Sequence, residues 1–124
     1  MHCRTVQTGR APGITEETIH RAVVAHLERR ARPGVVWWHV PNGEARGPGL
    51  GGKLRALGTR AGMPDLMLLA AGRFHCLELK REGGRVSPAQ RAMLGELEAG
   101  GAAVAIAFGL DDALAQLSRW ALMR

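Results

Sequence analysis

The feature that most constrains the fold of this chain of 124 residues is a pair of short apolar runs. A segment around Ala71-Gly72 separates them. The runs are residues 66–70 and 74–79. Their length, and the small residues between them, are typical of two strands joined by a tight turn. If Ala71-Gly72 forms a two-residue loop, counting outward in antiparallel register sets Asp65 directly opposite Glu78. We therefore predict a β-hairpin with two facing carboxylates.

The same hairpin brings a lysine to the carboxylates. Because side chains alternate along a strand, Glu78 and Lys80 point to the face on which Asp65 lies. The β-carbons of directly opposed residues are about 5 Å apart, so the two carboxylates repel each other unless a positive charge lies between them. Carboxylate oxygens suit Mg²⁺ or Mn²⁺, and Mg²⁺ completes its shell with water and substrate phosphate. The pattern predicts a divalent-metal site with a lysine beside it.

The alternative is that these residues are only solvated strand ends. Asp65 would begin a strand, and Glu78 and Lys80 would form a hydrated face with the charged residues that follow them. Three features favour the metal site. Glu78 and Lys80 end an otherwise apolar strand, Pro64 keeps the chain extended before Asp65, and the next loop is basic and glycine-rich.

Composition predicts one domain. With 46% hydrophobic residues the chain can bury a core, and we expect a single domain over residues 14–124 after a flexible leader of residues 1–13. No apolar run is long enough for a membrane span and the N-terminus lacks a signal-peptide core, which predicts a cytoplasmic protein without a membrane partner. Cys3 and Cys76 give no disulfide framework, and the scattered histidines predict no zinc site.

Charge points to a polyanionic partner. Seventeen Lys and Arg residues against eleven Asp and Glu residues give a net charge of +6, which favours nucleic acid; the alternative is that the arginines reflect the base composition of the genome. A long, basic, glycine-rich loop follows the first predicted strand. The candidate DNA-contacting residues are Asn42, Arg46, Lys53, Arg55, Arg60 and Arg81.

Caps and apolar patterns place the other elements. Thr15 is the predicted N-cap of a first helix with an apolar stripe of Ile19, Ala22, Val23 and Leu27, which ends at Pro33-Gly34. Residues 35–40 are β-branched and aromatic, as in a strand, and residues 53–57 fit a helical turn.

A second long helix is predicted after the hairpin. Ser87-Pro88 with Gln90 predicts a capping box at its start. The helix should bury Met93, Leu94 and Leu97 and end at Gly100-Gly101. Residues 102–108 read as a buried strand. Asp111 is the predicted cap of a last helix with an apolar stripe of Leu114, Leu117 and Ala121.

This order of elements predicts an α/β fold in which helices flank a small mixed sheet. Placed on it, several motifs resemble the VRR-NUC branch of the PD-(D/E)xK nuclease superfamily. They are Glu16 in the first helix, Pro41-Asn42-Gly43, Ala61-Gly62-Met63-Pro64-Asp65, Glu78-Leu79-Lys80-Arg81 and Ser87-Pro88-Ala89-Gln90. The resemblance covers about residues 15–120, and the set of motifs is more specific than any one of them.

The resemblance implies a restriction-endonuclease-like core and Mg²⁺- or Mn²⁺-dependent hydrolysis of DNA phosphodiester bonds. It implies Asp65 and Glu78 as metal ligands, the backbone carbonyl of Leu79 as a further ligand, and Lys80 as the group that positions the attacking water. Family members include phage and bacterial proteins that act on branched DNA, so we expect an endonuclease of that type. The alternative is a catalytically silent nucleic-acid-binding module on the same fold.

The resemblance also implies contributions to catalysis from the helices that flank the hairpin, through Glu16 and Gln90. Gln90 has a second explanation as part of the capping box, and Glu17 is an alternative to Glu16 because both lie in the first helical turn. His20 stands where the family often has glutamine. One site cuts one strand, so symmetric cutting of a duplex or junction predicts a homodimer.

Overall fold

The turn at Ala71-Gly72 determines the register of the central hairpin. A computed structural model describes residues 13–41 and 49–124 of the chain. Both turn residues have positive φ, 51° for Ala71 and 78° for Gly72. Two positive φ values are typical of a type I′ turn, whose twist matches that of the strands it joins. The predicted two-residue loop is therefore confirmed.

Within residues 13–41 and 49–124, four strands form one sheet in the order β1-β2-β3-β4. They are β1 (Val36–His39), β2 (Leu66–Ala70), β3 (Arg73–Lys80) and β4 (Ala103–Phe108). The β1–β2 and β2–β3 pairs are antiparallel, and the β3–β4 pair is parallel. Leu66 pairs with Leu77, so the next step of the register sets Asp65 opposite Glu78, as predicted. The sheet is mixed and lies among helices, which confirms the predicted fold class.

Helices cover both faces of the sheet. The helices of the described residues are α1 (Glu16–Arg30), α2 (Leu50–Ala56), α3 (Pro88–Ala99) and α4 (Leu110–Arg119). Of these, α1, α3 and α4 pack on the sheet. On one face Leu77 and Leu79 join a core that includes buried residues of α1 and α4. On the other face Cys76 packs in a smaller core with Leu94 of α3. Because Glu78 and Lys80 alternate with Leu77 and Leu79 along β3, they point toward the α3 side.

The helix starts at Thr15 and Ser87 form as predicted. The side chain of Thr15 accepts a hydrogen bond from the backbone N–H of Thr18 at 3.1 Å. Ser87 and Gln90 form a complete capping box at the start of α3. The side chain of each accepts the backbone N–H of the other, which satisfies two donors that the first helical turn leaves without partners. Of the predicted α1 stripe, Ala22 is only half-buried.

The prediction for the last helix is wrong at both ends. Its N-cap is Gly109, with no side-chain cap, and Asp111 lies inside the first turn. The carboxylate of the neighbouring Asp112 instead accepts the backbone N–H of Phe108 at 2.9 Å. At the other end Ala121 is exposed, outside the helix, with φ of 59°, and Leu122 is buried in its place. The Asp112 carboxylate thus bonds back to the last residue of β4. The preceding acid, Asp111, resembles an N-cap only in the sequence.

Three further predictions meet the structure in part. The helical turn predicted over residues 53–57 belongs to α2, which starts at Leu50. Cys76 is a free, buried thiol, and burial raises its pKa to about 11; Cys3 lies outside the described residues, as does most of the predicted leader. None of the described helices has the length and apolar character needed to cross a bilayer.

Gly62 is held where no other residue fits. Its φ is +79°, and a β-carbon added to it would lie 2.3 Å from the carbonyl oxygen of Ala89. The segment before β2 thus contacts the first turn of α3 through bare backbone, three residues before Asp65. Gly72 has nearly the same φ, +78°, but nothing lies within 4 Å of the position of its added β-carbon.

We expect Gly62→Ala to destabilise the protein much more than Gly72→Ala. The left-handed backbone costs alanine about 1–2 kcal/mol at either position, and only at Gly62 does overlap with Ala89 add to that cost. Chemical denaturation of the two variants measures the difference, since their backbone strain is matched. Equal losses of unfolding free energy would contradict the close contact between Gly62 and α3.

Candidate functional site

The open end of the hairpin gathers two acids and a lysine. Glu78 and Lys80 are buried, with 3% and 7% of their surface exposed. The Lys80 Nζ lies 3.5 Å from Glu78 Oε2. Buried charges are rare unless they are paired. The alternative in which Glu78 and Lys80 form a hydrated face is therefore excluded.

Asp65 is fixed through its side chain and its backbone. Its Oδ2 accepts the backbone N–H of Leu79 at 2.8 Å. Its carbonyl oxygen accepts the backbone N–H of Val40 at 3.0 Å and a hydrogen bond from Nδ1 of His39 at 2.7 Å. β1 and β3 therefore hold Asp65 from opposite sides. The hydrogen bond from the Leu79 N–H brings the backbone of Leu79 to the Asp65 carboxylate. Leu79 is the predicted source of a carbonyl ligand.

Burial and neighbouring charge raise the pKa of Glu78 to about 7. Burial is the largest cause, because it penalises the ionised form. The negative charge of Asp65 acts in the same direction, with a smaller addition from Glu16, while Lys80 opposes the shift. The lysine therefore does not fully offset the burial of Glu78 and the negative charge of Asp65. A further positive charge at this position would stabilise the ionised form of Glu78.

The donor set fits a hard divalent cation. Carboxylate and carbonyl oxygens are the ligands of Mg²⁺ and Mn²⁺, and Mg²⁺ usually binds through one or two carboxylates and keeps several waters. Across the described residues, no group of three or more His, Cys, Asp and Glu side chains is arranged to hold a metal. A cation here would thus depend on Asp65 and Glu78, with backbone carbonyl and water oxygens completing its shell.

Gln90 completes the predicted capping box and also contacts Glu78. Its Oε1 accepts the backbone N–H of Ser87 at 2.9 Å and so completes the capping box. Its Nε2 donates to Oε2 of Glu78, also at 2.9 Å. The capping box holds the amide in a fixed orientation, and α3 consequently presents a neutral donor to the buried acid.

Of the two acids at the start of α1, Glu16 is the one that faces the hairpin. Its Oε2 lies 3.4 Å from the backbone nitrogen of Arg81, which donates to it, and its charge acts on Glu78. Glu17 is exposed and forms an ion pair with Arg21 at 3.0 Å. Only Glu16 is thus in a position to act on the site.

A histidine pair borders the site and was missed in part by the sequence analysis. The rings of His20 and His39 meet edge to face, with their centroids 4.4 Å apart. The pKa of His20 is lowered, first by burial and then by His39, while Asp65 opposes the shift. His20 was noted only as a departure from the family pattern. His39 had one available signal, its position at the end of the first strand.

The predicted DNA-contacting residues that the structure describes lie on different segments of the chain. Asn42 and Arg46 lie outside the described residues. Lys53 and Arg55 are exposed on α2, and Arg81 is exposed directly after Lys80. Arg60 instead donates from one guanidinium nitrogen, Nη2, to both carboxylate oxygens of Glu96 on α3, at 3.0 and 2.9 Å. Part of its charge is thus neutralised within the protein.

Comparison with known proteins agrees with this geometry. The model of the VRR-NUC domain matches residues 14–110. A solved structure described as a VRR_NUC domain protein superposes with a TM-score of 0.73 and 22% identity, covering 88% of this chain and 89% of that one; at this identity the likeness shows the fold. A search of curated proteins found no match. Because the family model spans most of the sequence and the fold agrees, the chain belongs to the VRR-NUC domain family, a family of nuclease type.

Proposed function

We propose that this protein is a Mg²⁺- or Mn²⁺-dependent deoxyribonuclease whose active centre is formed by Asp65, Glu78 and Lys80. The observation that carries the proposal is the buried Glu78 carboxyl, whose pKa of about 7 results from burial and from the adjacent Asp65. A buried acid beside a second acid is costly without a compensating cation. A fold can keep such a pair of acids where its function requires them. A metal-assisted nuclease requires a pair of acids to bind its cation.

Asp65 and Glu78 would hold the metal through their carboxylates, with the Leu79 carbonyl as a further ligand. When bound, the cation supplies Lewis-acid stabilisation of the phosphate charge and lowers the pKa of water. The protein orients its own ligands. The Leu79 N–H fixes one oxygen of Asp65, and the Gln90 amide fixes one oxygen of Glu78. Such hydrogen bonds keep carboxylates in position for a ligand.

Lys80 would act on the phosphate and on the attacking water. Its ammonium group has three donors and is held by Glu78 at 3.5 Å. Charge builds on the phosphate oxygens as the new bond forms, and a fixed ammonium stabilises that charge without reorganisation. Glu16 and Gln90 would be positioning residues, because the observed contacts of their side chains are with protein groups.

The DNA would be held by basic side chains around the centre. Arg81 follows Lys80 directly, while Lys53 and Arg55 extend from α2. Guanidinium and ammonium groups bind phosphates without regard to sequence, which suits an enzyme that recognises the shape of its substrate. We propose branched DNA as the preferred substrate and a homodimer as the form that makes symmetric paired cuts.

Asp65→Asn is expected to abolish metal-dependent cleavage, by at least about 10²-fold, without unfolding the protein. The amide oxygen can still accept the Leu79 N–H, but the residue loses its charge. The assay compares linear, flapped and four-way-junction DNA in Mg²⁺, Mn²⁺ or EDTA, with gel shifts in parallel. Asp111→Asn, on the exposed first turn of α4, is the control. If wild-type protein binds these DNAs but yields no metal-dependent product, the silent binding module is correct.

Mg²⁺ is expected to stabilise the protein more at pH 8 than at pH 6. In the folded state the pKa of Glu78 is about 7, above its ordinary 4.5, so without metal its contribution to stability falls as pH rises through that interval. Mg²⁺ must displace the proton, and its apparent affinity should increase about tenfold between pH 6 and pH 8. Thermal unfolding against Mg²⁺ concentration measures this. A Mg²⁺ effect in Glu78→Gln as large as in wild type would contradict the assignment.

Gln90→Glu is expected to separate the two roles of Gln90. Glutamate also completes a capping box, so α3 should keep its start, but the variant places a third acid against Glu78 and removes the amide donor. Cleavage should fall at neutral pH while far-UV circular dichroism stays unchanged. Gln90→Ala also removes the side-chain acceptor of the Ser87 N–H, while Ser87 still caps the helix, and should lower the free energy of unfolding by about 1 kcal/mol. Full activity in Gln90→Glu would show that Gln90 serves the helix alone.

A further inference from the structure

α2 carries an apolar stripe that no described part of the protein covers. Leu50 and Leu57 are 43% and 73% exposed, and Leu54 between them is half-buried. The spacing of four and then three residues places all three on one side of a helix. None of the residues of α2 is buried. Exposed apolar side chains grouped in this way usually mark an interaction surface.

The end of α2, where Leu57 is the C-cap residue, is closed by backbone hydrogen bonds. Gly58 has φ of 100° and donates its N–H to the Arg55 carbonyl at 3.0 Å. Thr59 donates to the Leu54 carbonyl at 2.9 Å. These two bonds are those of a Schellman motif, which fixes the last helical turn. Leu57 is therefore held on an ordered helix end although it is exposed.

Two contacts tie this helix end to the rest of the nuclease domain. Arg60 forms its ion pair with Glu96 of α3 through Nη2. Gly62 lies against the carbonyl of Ala89, also on α3. Asp65 follows three residues later. Whatever binds at Leu57 is thus positioned relative to the proposed catalytic centre through a short, anchored segment.

Charge decides between the candidate partners of this stripe. Residues 45–64 include four Lys and Arg residues and no Asp or Glu. Lys53 and Arg55 are exposed on α2, beside the stripe. A second copy of a chain with net charge +6 would meet like charge at this surface, whereas a polyanion is attracted to it. Apolar side chains between phosphate-binding cations are the combination with which proteins enter a DNA base stack.

We propose that Leu57 is a wedge that enters the base stack of bound DNA, while Lys53 and Arg55 bind the adjacent phosphates. This inference rests on the DNA-binding part of the proposed function and specifies how the substrate is selected. Insertion between bases costs stacking energy, and the cost is lowest where stacking is already interrupted. A wedge joined to the catalytic centre by this short segment would therefore favour branch points over continuous duplex.

Fluorescence of 2-aminopurine, which increases when the base unstacks, tests the wedge. The probe is placed at the branch of a four-way junction and at the matched position of a linear duplex, in EDTA and at saturating protein. Anisotropy of the same samples reports binding. Wild type should raise the junction signal at least about twofold. Leu57→Ala should lose most of that rise while its Kd changes by less than about threefold, because phosphate contacts supply most of the affinity.

Matched variants separate the wedge from general effects. Val36→Ala, at an apolar position that is 56% exposed on β1, should behave as wild type, and Leu57→Met should keep the signal. Lys53→Gln should weaken binding to both DNAs and reduce the salt slope by about one, with the signal at saturation unchanged. A signal at saturation that is equal in Leu57→Ala and wild type would overturn the inference. So would a wild-type dimer that Leu57→Ala converts to a monomer, because the stripe would then bind a second copy.

The outcomes also distinguish this inference from the proposed function. Binding and unstacking by wild type, without cleavage when Mg²⁺ or Mn²⁺ is added, would leave the wedge in place and remove the nuclease activity. Metal-dependent cleavage without unstacking would support the nuclease activity and contradict the wedge. If wild-type protein bound neither DNA, the wedge and the DNA-binding part of the proposed function would both be wrong.

Discussion

The placement of Asp65 opposite Glu78 is the constraint on which the rest of the site depends. The two acids oppose each other because the turn at Ala71-Gly72 sets the hairpin register. They are costly in this position, since burial and mutual repulsion raise the pKa of Glu78 to about 7. The surrounding elements limit that cost. Lys80 supplies a positive charge at 3.5 Å and Gln90 a neutral donor at 2.9 Å. A divalent cation would complete the compensation that these groups leave unfinished.

Each neighbouring element contributes one group to this centre through a local structure that has its own reason to form. α3 presents Gln90 because the capping box with Ser87 fixes the side chain. The segment before β2 reaches Asp65 after passing α3 so closely that only glycine fits at position 62. The site is consequently assembled by backbone features that form at the ends of helices and strands. Such features hold side chains more firmly than a loop does.

The parts that could be predicted from sequence are those set by neighbours in the chain. The two-residue turn, the Thr15 cap and the capping box of α3 each depend on a few consecutive residues. The predicted N-cap of α4 was wrong because no side chain caps this helix. The Asp112 carboxylate instead accepts the N–H of Phe108, at the end of β4. The role of Arg60 could not be predicted either. Its ion pair with Glu96 joins residues 36 positions apart.

The sequence by itself determined which side chains share the hairpin face, because strand alternation and turn length are local rules. It also determined the excess of basic residues. Only the tertiary structure decided that Glu16 and not Glu17 faces the site, and that the Gln90 amide reaches Glu78. The raised pKa of Glu78 is likewise a result of the tertiary structure alone. Those outcomes require elements distant in sequence to pack together, since burial and the approach of charges arise only once the helices cover the sheet.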